Sequence, residues 1–174
     1  MKILVAYSTV EGQTGKIAKW LSARAHKDGH DVVLFDTERP SRDLSSLKPD
    51  RIIVAGSVHH QRHPDSLEVF LATQKSILEK VPTLFLSVSL AAAFPEGVDD
   101  AKRYIDVFLA ANNWKPTQSY AIAGALRYDE YDYFKEQIVQ HIVLKNRKYE
   151  GPKGGHEFTD WAELERILER FLED

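Results

Sequence analysis

The 174-residue sequence contains no cysteine. Disulfides, thiolate metal sites, iron–sulfur ligation and thiol redox chemistry are therefore closed to this chain on its own. Any redox chemistry would need a bound organic cofactor or a metal held by other ligands. An excess of one charge is also missing: the formal net charge is −3 and the pI is near 6.2. Nucleic-acid binders usually carry a strong basic excess, so no nucleic-acid partner is expected. No apolar run approaches the ~20 residues that a membrane span requires. Met1 leads straight into a strand pattern rather than a signal-peptide pattern, which makes the cytoplasm the expected location. No internal repeat or linker divides the chain, and its length suits one domain with a full core.

What the sequence does contain is an alternation of short apolar runs with amphipathic stretches. Strands are predicted at 2–7 (KILVAY), 31–36 (DVVLFD), 51–56 (RIIVAG), 83–89 (TLFLSVS) and 119–126 (SYAIAGAL). Helices are predicted at 14–27, 65–80, 97–112, 132–148 and 160–172, each with apolar residues recurring at helical spacing. Asp28 and Gly29 close the first of them, and Val81-Pro82 closes the second. Residues 149–159 read as a Gly-rich polar loop. Strands without internal alternation imply burial on both faces, hence a parallel sheet with helices on either side. In such sheets ligands sit beyond the carboxyl ends of the strands, where the strand order reverses. The loops at 8–14, 57–63 and 87–94 occupy those ends.

The first loop carries the clearest chemistry. Tyr7-Ser8-Thr9-Val10-Glu11-Gly12-Gln13-Thr14 joins a strand to a helix and brings three hydroxyls, a glycine and an amide to the helix start. A helix N-terminus offers unpaired N–H groups and the positive end of its dipole. With hydroxyl donors added, the loop forms an anion cradle that needs no lysine and suits a terminal phosphate monoester. The Walker pattern fails, because Gly15-Lys16 is followed by Ile17 and position 10 is valine. The Gly-x-Gly-x-x-Gly dinucleotide pattern is absent from this turn as well. The plainer alternative is an ordinary turn with Thr14 as a helix cap.

Ser-Thr-x-x-Gly-x-Thr after the first strand resembles the FMN-phosphate loop of flavodoxins. The likeness extends through Gly-Ser-Val (56–58), Ser-Val-Ser-Leu (87–90), Ala-Gly-Ala-Leu-Arg-Tyr (123–128) and Thr-Asp-Trp (159–161). Together these motifs are similar to the menaquinone-dependent protoporphyrinogen dehydrogenases of the flavodoxin-like type. The resemblance implies an α/β fold with a doubly wound, five-stranded parallel sheet in the order 2-1-3-4-5. It also implies an inserted segment at about 128–158 within a single domain spanning 1–174. It further implies an FMN cofactor, a porphyrinogen-like substrate and a quinone acceptor, that is, oxidation of protoporphyrinogen IX to protoporphyrin IX in heme synthesis.

The implied cofactor contacts are Ser8, Thr9, Glu11, Gly12, Gln13 and Thr14 around the phosphate. Ser57, Val58, His59 and His60 would run along one edge of the flavin ring, and Ser87, Val88, Ser89, Leu90 and Ala91 would clasp its pyrimidine edge. Leu90 or Phe94 would cover a ring face; a small-residue turn explains the same stretch. His59, His60 and His63 also invite a metal reading. Their spacing matches no zinc pattern and adjacent histidines of an extended loop point apart, so no metal is expected. His60 is the candidate proton carrier, since an unperturbed imidazole titrates near neutrality. Arg127 either pairs with a substrate propionate or, as a surface residue, with Asp129 or Glu130. The 132–148 helix is either an amphipathic surface for a membrane or bulky substrate, or a helix packed on the sheet. A peripheral contact with the cytoplasmic face of a membrane and the oligomeric state stay open. Three functions compete: a porphyrinogen-oxidising flavoenzyme, a flavodoxin-type electron carrier, and a non-redox module. Carriers are usually strongly acidic, and a module without FMN has no use for the cradle.

Overall fold

The structure, a computed structural model, describes residues 1–40, 43–126 and 155–173. Arg127, Tyr128, the helix expected at 132–148 and most of the following loop lie outside the described residues.

β1 (Lys2–Ser8) is central to the architecture. Its Ile3, Val5 and Tyr7 enter one core, while Leu4 and Ala6 enter another on the opposite face. Both faces are apolar because both are covered, which explains the unbroken hydrophobic run. β2 (Asp31–Asp36), β3 (Arg51–Ser57), β4 (Thr83–Ser89) and β5 (Gln118–Ala123) join it in a parallel sheet of order β2-β1-β3-β4-β5. This is the order the resemblance implies. The reversal falls between β1 and β3, the position beyond whose carboxyl ends sheets of this kind bind ligands.

α1 (Gln13–Lys27) and α5 (Trp161–Glu173) supply the first core through Ile17, Leu21, Leu164, Leu168 and Phe171. α2 (Asp65–Thr73) and α4 (Val98–Ala111) supply the second through Leu67, Phe70, Ile105 and Phe108. Each large side chain buried this completely contributes about 1.5–3 kcal/mol of transfer free energy. No helix among the described residues is long and apolar enough to cross a membrane.

Two boundaries differ from the sequence reading by more than a residue. The helix expected over 65–80 stops at Thr73, and a short turn α3 (Lys75–Leu78) follows. The Thr73 hydroxyl reaches back to the carbonyls of Val69 and Phe70, and Gln74 leaves helical geometry at φ −103°, ψ 11°. The helix expected over 97–112 is found at Val98–Ala111, preceded by two short 3-10 turns, Ala91–Ala93 and Pro95–Gly97. The strand expected at 119–126 leaves the sheet at Gly124, whose N–H donates to the Ser89 carbonyl. Beyond it β6 (Ala125–Leu126) pairs antiparallel with β7 (His156–Glu157), within the stretch read as loop.

Candidate functional site

The first loop closes into a helix start at Gly12, whose φ of +90° lies in the left-handed region where a Cβ is strained. Gly12 caps α1 without a side chain, and the first turn holds no acidic residue. The first helical bond runs from Lys16 N–H to the Gly12 carbonyl at 2.9 Å. The N–H groups of Gln13, Thr14 and Gly15 therefore precede any intrahelical acceptor. The Thr9 hydroxyl accepts from Gly12 N–H at 3.0 Å and keeps its own proton to give. The Thr14 hydroxyl is buried and has no partner. Such an atom is costly unless something arrives to accept its proton. A phosphate oxygen is such an acceptor, and the residues present fit it.

Ser8 and Gln13 are placed differently from what the sequence suggests. The Ser8 hydroxyl, fully buried, donates to Glu38 Oε1 at 2.9 Å, and Ser66 donates to the same oxygen at 2.5 Å. One hydroxyl has one proton, so Ser8 is committed to a carboxylate beyond β2. The Gln13 side-chain amide donates to Thr159 Oγ1 at 2.9 Å. Thr159 in turn donates to the Ala123 carbonyl at 2.7 Å. Beside this link, Glu157 accepts from Lys16 Nζ at 2.5 Å and from Trp161 Nε1 at 2.8 Å. Burial pushes the Glu157 carboxyl up, but hydrogen bonds from Lys16, Trp161 and Gln13 outweigh it and hold the group below the usual range. Thr-Asp-Trp stands out in the sequence as a motif, yet nothing local assigns Thr159 to α1.

The second loop is tied to the first by Glu11, whose Oε1 lies 3.3 Å from His59 Nδ1. His59 and Arg62 exchange both backbone hydrogen bonds, at 2.9 and 3.1 Å, and close a two-residue turn. His60 and Gln61 fill that turn at φ 48° and 63°. This is the geometry for which Asn-Gly is preferred, and two side chains with left-handed φ carry strain on the order of 1 kcal/mol each. His60 thus sits at the tip, its ring centroid 4.2 Å from that of His59. The Ser57 hydroxyl is a second buried polar atom without a partner, and Val58 N–H donates to the Val88 carbonyl at 2.8 Å.

His63 departs from its neighbours. It turns inward, is buried, and packs between Phe85 and Phe108 with centroids 5.4 and 4.5 Å away. Its Nε2 lies 3.0 Å from Ser87 Oγ. Burial lowers its pKa to about 4, so the ring is neutral near pH 7. Gly56 makes room for it: a Cβ there would lie 2.6 Å from Leu67 Cδ2 and 3.0 Å from His63 Cδ2. Among the described residues no group of three His, Cys, Asp or Glu side chains could hold a metal ion.

The third loop is largely self-satisfied. Ser87 is turned to His63, Ser89 Oγ accepts from Ala92 N–H at 3.2 Å, and the carbonyls of Val88 and Ser89 serve Val58 and Gly124. Ala91 is buried in the 3-10 turn and Leu90 is part-exposed beside it. Phe94 is buried and packs 5.3 Å from Phe158. The structure therefore brings the three loops together at one end of the sheet.

A family model described as Flavodoxin domain matches residues 4–152. The protoporphyrinogen IX dehydrogenase (quinone) of Escherichia coli is 26% identical over 165 residues, covering 94% of this chain and 91% of that protein. Oxidised flavodoxin 1 from Bacillus cereus shares the fold with a TM-score of 0.56 at 14% identity, over 99% of this chain and 96% of its own. A Fusobacterium nucleatum flavodoxin, solved bound to flavin mononucleotide, does so with a TM-score of 0.51 at 14% identity, over 99% and 95%.

Proposed function

The chain belongs to the flavodoxin domain family, and from that premise we propose that it is an FMN-dependent oxidoreductase of the protoporphyrinogen IX dehydrogenase (quinone) type. The observation that carries FMN is the buried, partnerless Thr14 hydroxyl at the uncapped start of α1. The observation that favours the enzyme over a carrier is the sequence identity to the Escherichia coli dehydrogenase, 26% over 94% of this chain, against 14% to the flavodoxins. FMN when bound supplies reversible redox chemistry, and the protein supplies position, exclusion of water and a local field.

In this reading Thr9 and Thr14 donate their hydroxyls to the phosphate, with the N–H groups of Gln13, Thr14 and Gly15 at the positive end of the helix. Gly12 lets the backbone turn around it. Ser57, Val58, His59 and His60 would hold the flavin ring from one loop, and Ser87 to Ala91 from another. Ser87 acts there through the backbone, because its hydroxyl is engaged with His63, whereas Ser89 Oγ accepts from Ala92 N–H and keeps a proton to give. His60, at the tip of its turn, would accept or return a proton. Arg127 pairs with a propionate of the substrate. Hydrogens leave the porphyrinogen and end on the quinone as quinol. Because quinones dissolve in lipid, the acceptor is met at the cytoplasmic face of a membrane, with the protein as a peripheral visitor.

Purified protein should carry yellow flavin released as FMN. Porphyrinogen should bleach it and menaquinone should restore it, with protoporphyrin fluorescence rising in step. Bound FMN without porphyrinogen oxidation under any quinone would leave the carrier. Protein that binds no FMN would end both readings.

A further inference from the structure

We propose that Thr159 is a positioning residue for the phosphate end of the cofactor: it draws the Gln13 amide out of the cradle and seats the first turn of α1 against the end of β5. The inference rests on the phosphate assignment above.

Proton counting sets the direction of every bond. The Thr159 hydroxyl has one proton, and the Ala123 carbonyl takes it at 2.7 Å. Toward Gln13 it can only accept, so the Gln13 NH2 group must face it, at 2.9 Å. That choice fixes the amide orientation and leaves Gln13 Oε1 as the buried atom without a partner. The same amide helps to hold the Glu157 carboxyl below its usual range, after Lys16 and Trp161. The proton given to Thr159 is lost to an anion in the cradle. A phosphate dianion accepts and does not donate, so Oε1 is of no use to it. A glutamine that the sequence places among the phosphate contacts is thus a tie between α1 and the chain 146 positions later.

The tie matters because the cradle is mostly backbone. The direction in which the N–H groups of residues 13–15 point is set by where the first turn sits. Two links seat it: Gln13 to Thr159, and Lys16 to Glu157. Thr159 is itself held, because Asp160 caps α5 through Glu163 N–H at 2.9 Å and Trp161 packs on Trp20 at 5.4 Å. Thr159 touches none of the phosphate donors except through Gln13.

The test titrates the full chain, stripped of flavin, with FMN and with riboflavin, which differ by the phosphate alone. Wild type should prefer FMN; if it does not, the phosphate assignment fails and this inference with it. Thr159→Val should lose about tenfold of that preference, the size of one hydrogen bond, while riboflavin binding holds. Thr159→Ser should restore the preference. Gln13→Met should lose as much as Thr159→Val, and the double variant no more than either alone. A Thr159→Val protein that keeps its full preference for FMN overturns the inference. So does an additive double variant, which would place Gln13 on the phosphate directly. Thr159→Ala gives the same reading should the valine methyl prevent folding, and circular dichroism of each stripped variant verifies the fold.

Discussion

Thr14→Val separates two effects that most substitutions confound. Valine matches threonine in shape and replaces the hydroxyl with a methyl group. In the flavin-free protein that hydroxyl is buried, 1% exposed as a residue, and without a partner. An unsatisfied buried hydroxyl costs about 1–3 kcal/mol, so its removal should stabilise the flavin-free protein or leave it unchanged. In the FMN complex the same hydroxyl donates to a charged oxygen, and its loss should weaken binding by on the order of 1–3 kcal/mol. That is roughly 5- to 150-fold in Kd. The two effects have opposite signs, which a general loss of folding cannot mimic. Thermal melts of the stripped protein read the first, and quenching of FMN fluorescence on titration reads the second. A variant that melts lower yet binds FMN with unchanged affinity would refute the reasoning, for Thr14 would then be a structural cap.

Three further outcomes follow from the geometry. His63 has its pKa lowered by burial from 6.5 to about 4, so between those values the unfolded chain binds the proton that the folded one refuses. Stability should therefore be full above about pH 6.5 and fall as the pH drops toward 4, by roughly 3 kcal/mol. Urea titrations at several pH values measure this, and a His63→Phe variant that keeps the same slope would assign it elsewhere. Gln61→Gly removes a side chain from a position at φ 63° and should raise stability by about 1 kcal/mol; a loss would mean the Gln61 side chain contributes more than its backbone strain costs. Leu168→Ala empties a site that is 1% exposed between α5 and the sheet, and should cost about 2–5 kcal/mol in urea denaturation. A cost below about 1 kcal/mol would show that α5 packs loosely there.

Local pattern determined the elements of this protein. Short unbroken apolar runs and period-3.6 hydrophobicity are properties of neighbouring residues, so five strands and the helices between them were legible, as was the hydroxyl-rich start of α1. Their alternation and unbroken apolar strands implied a parallel sheet covered on both faces. The loops obey no such period, and there the tertiary structure decided. Ser8 and Thr14 are equal in sequence as hydroxyl donors, but Glu38, brought beside β1 by the β1–β2 pairing, takes the proton of one and leaves the other free. Three histidines read alike as loop residues, yet only His63 enters the core, because Gly56 leaves a hollow beside Leu67 and Phe108. Gln13 finds its partner in Thr159 only once α5 has docked. A hydrogen bond depends on where the one available proton meets an acceptor in space, and for side chains 146 positions apart only the packed fold determines that meeting.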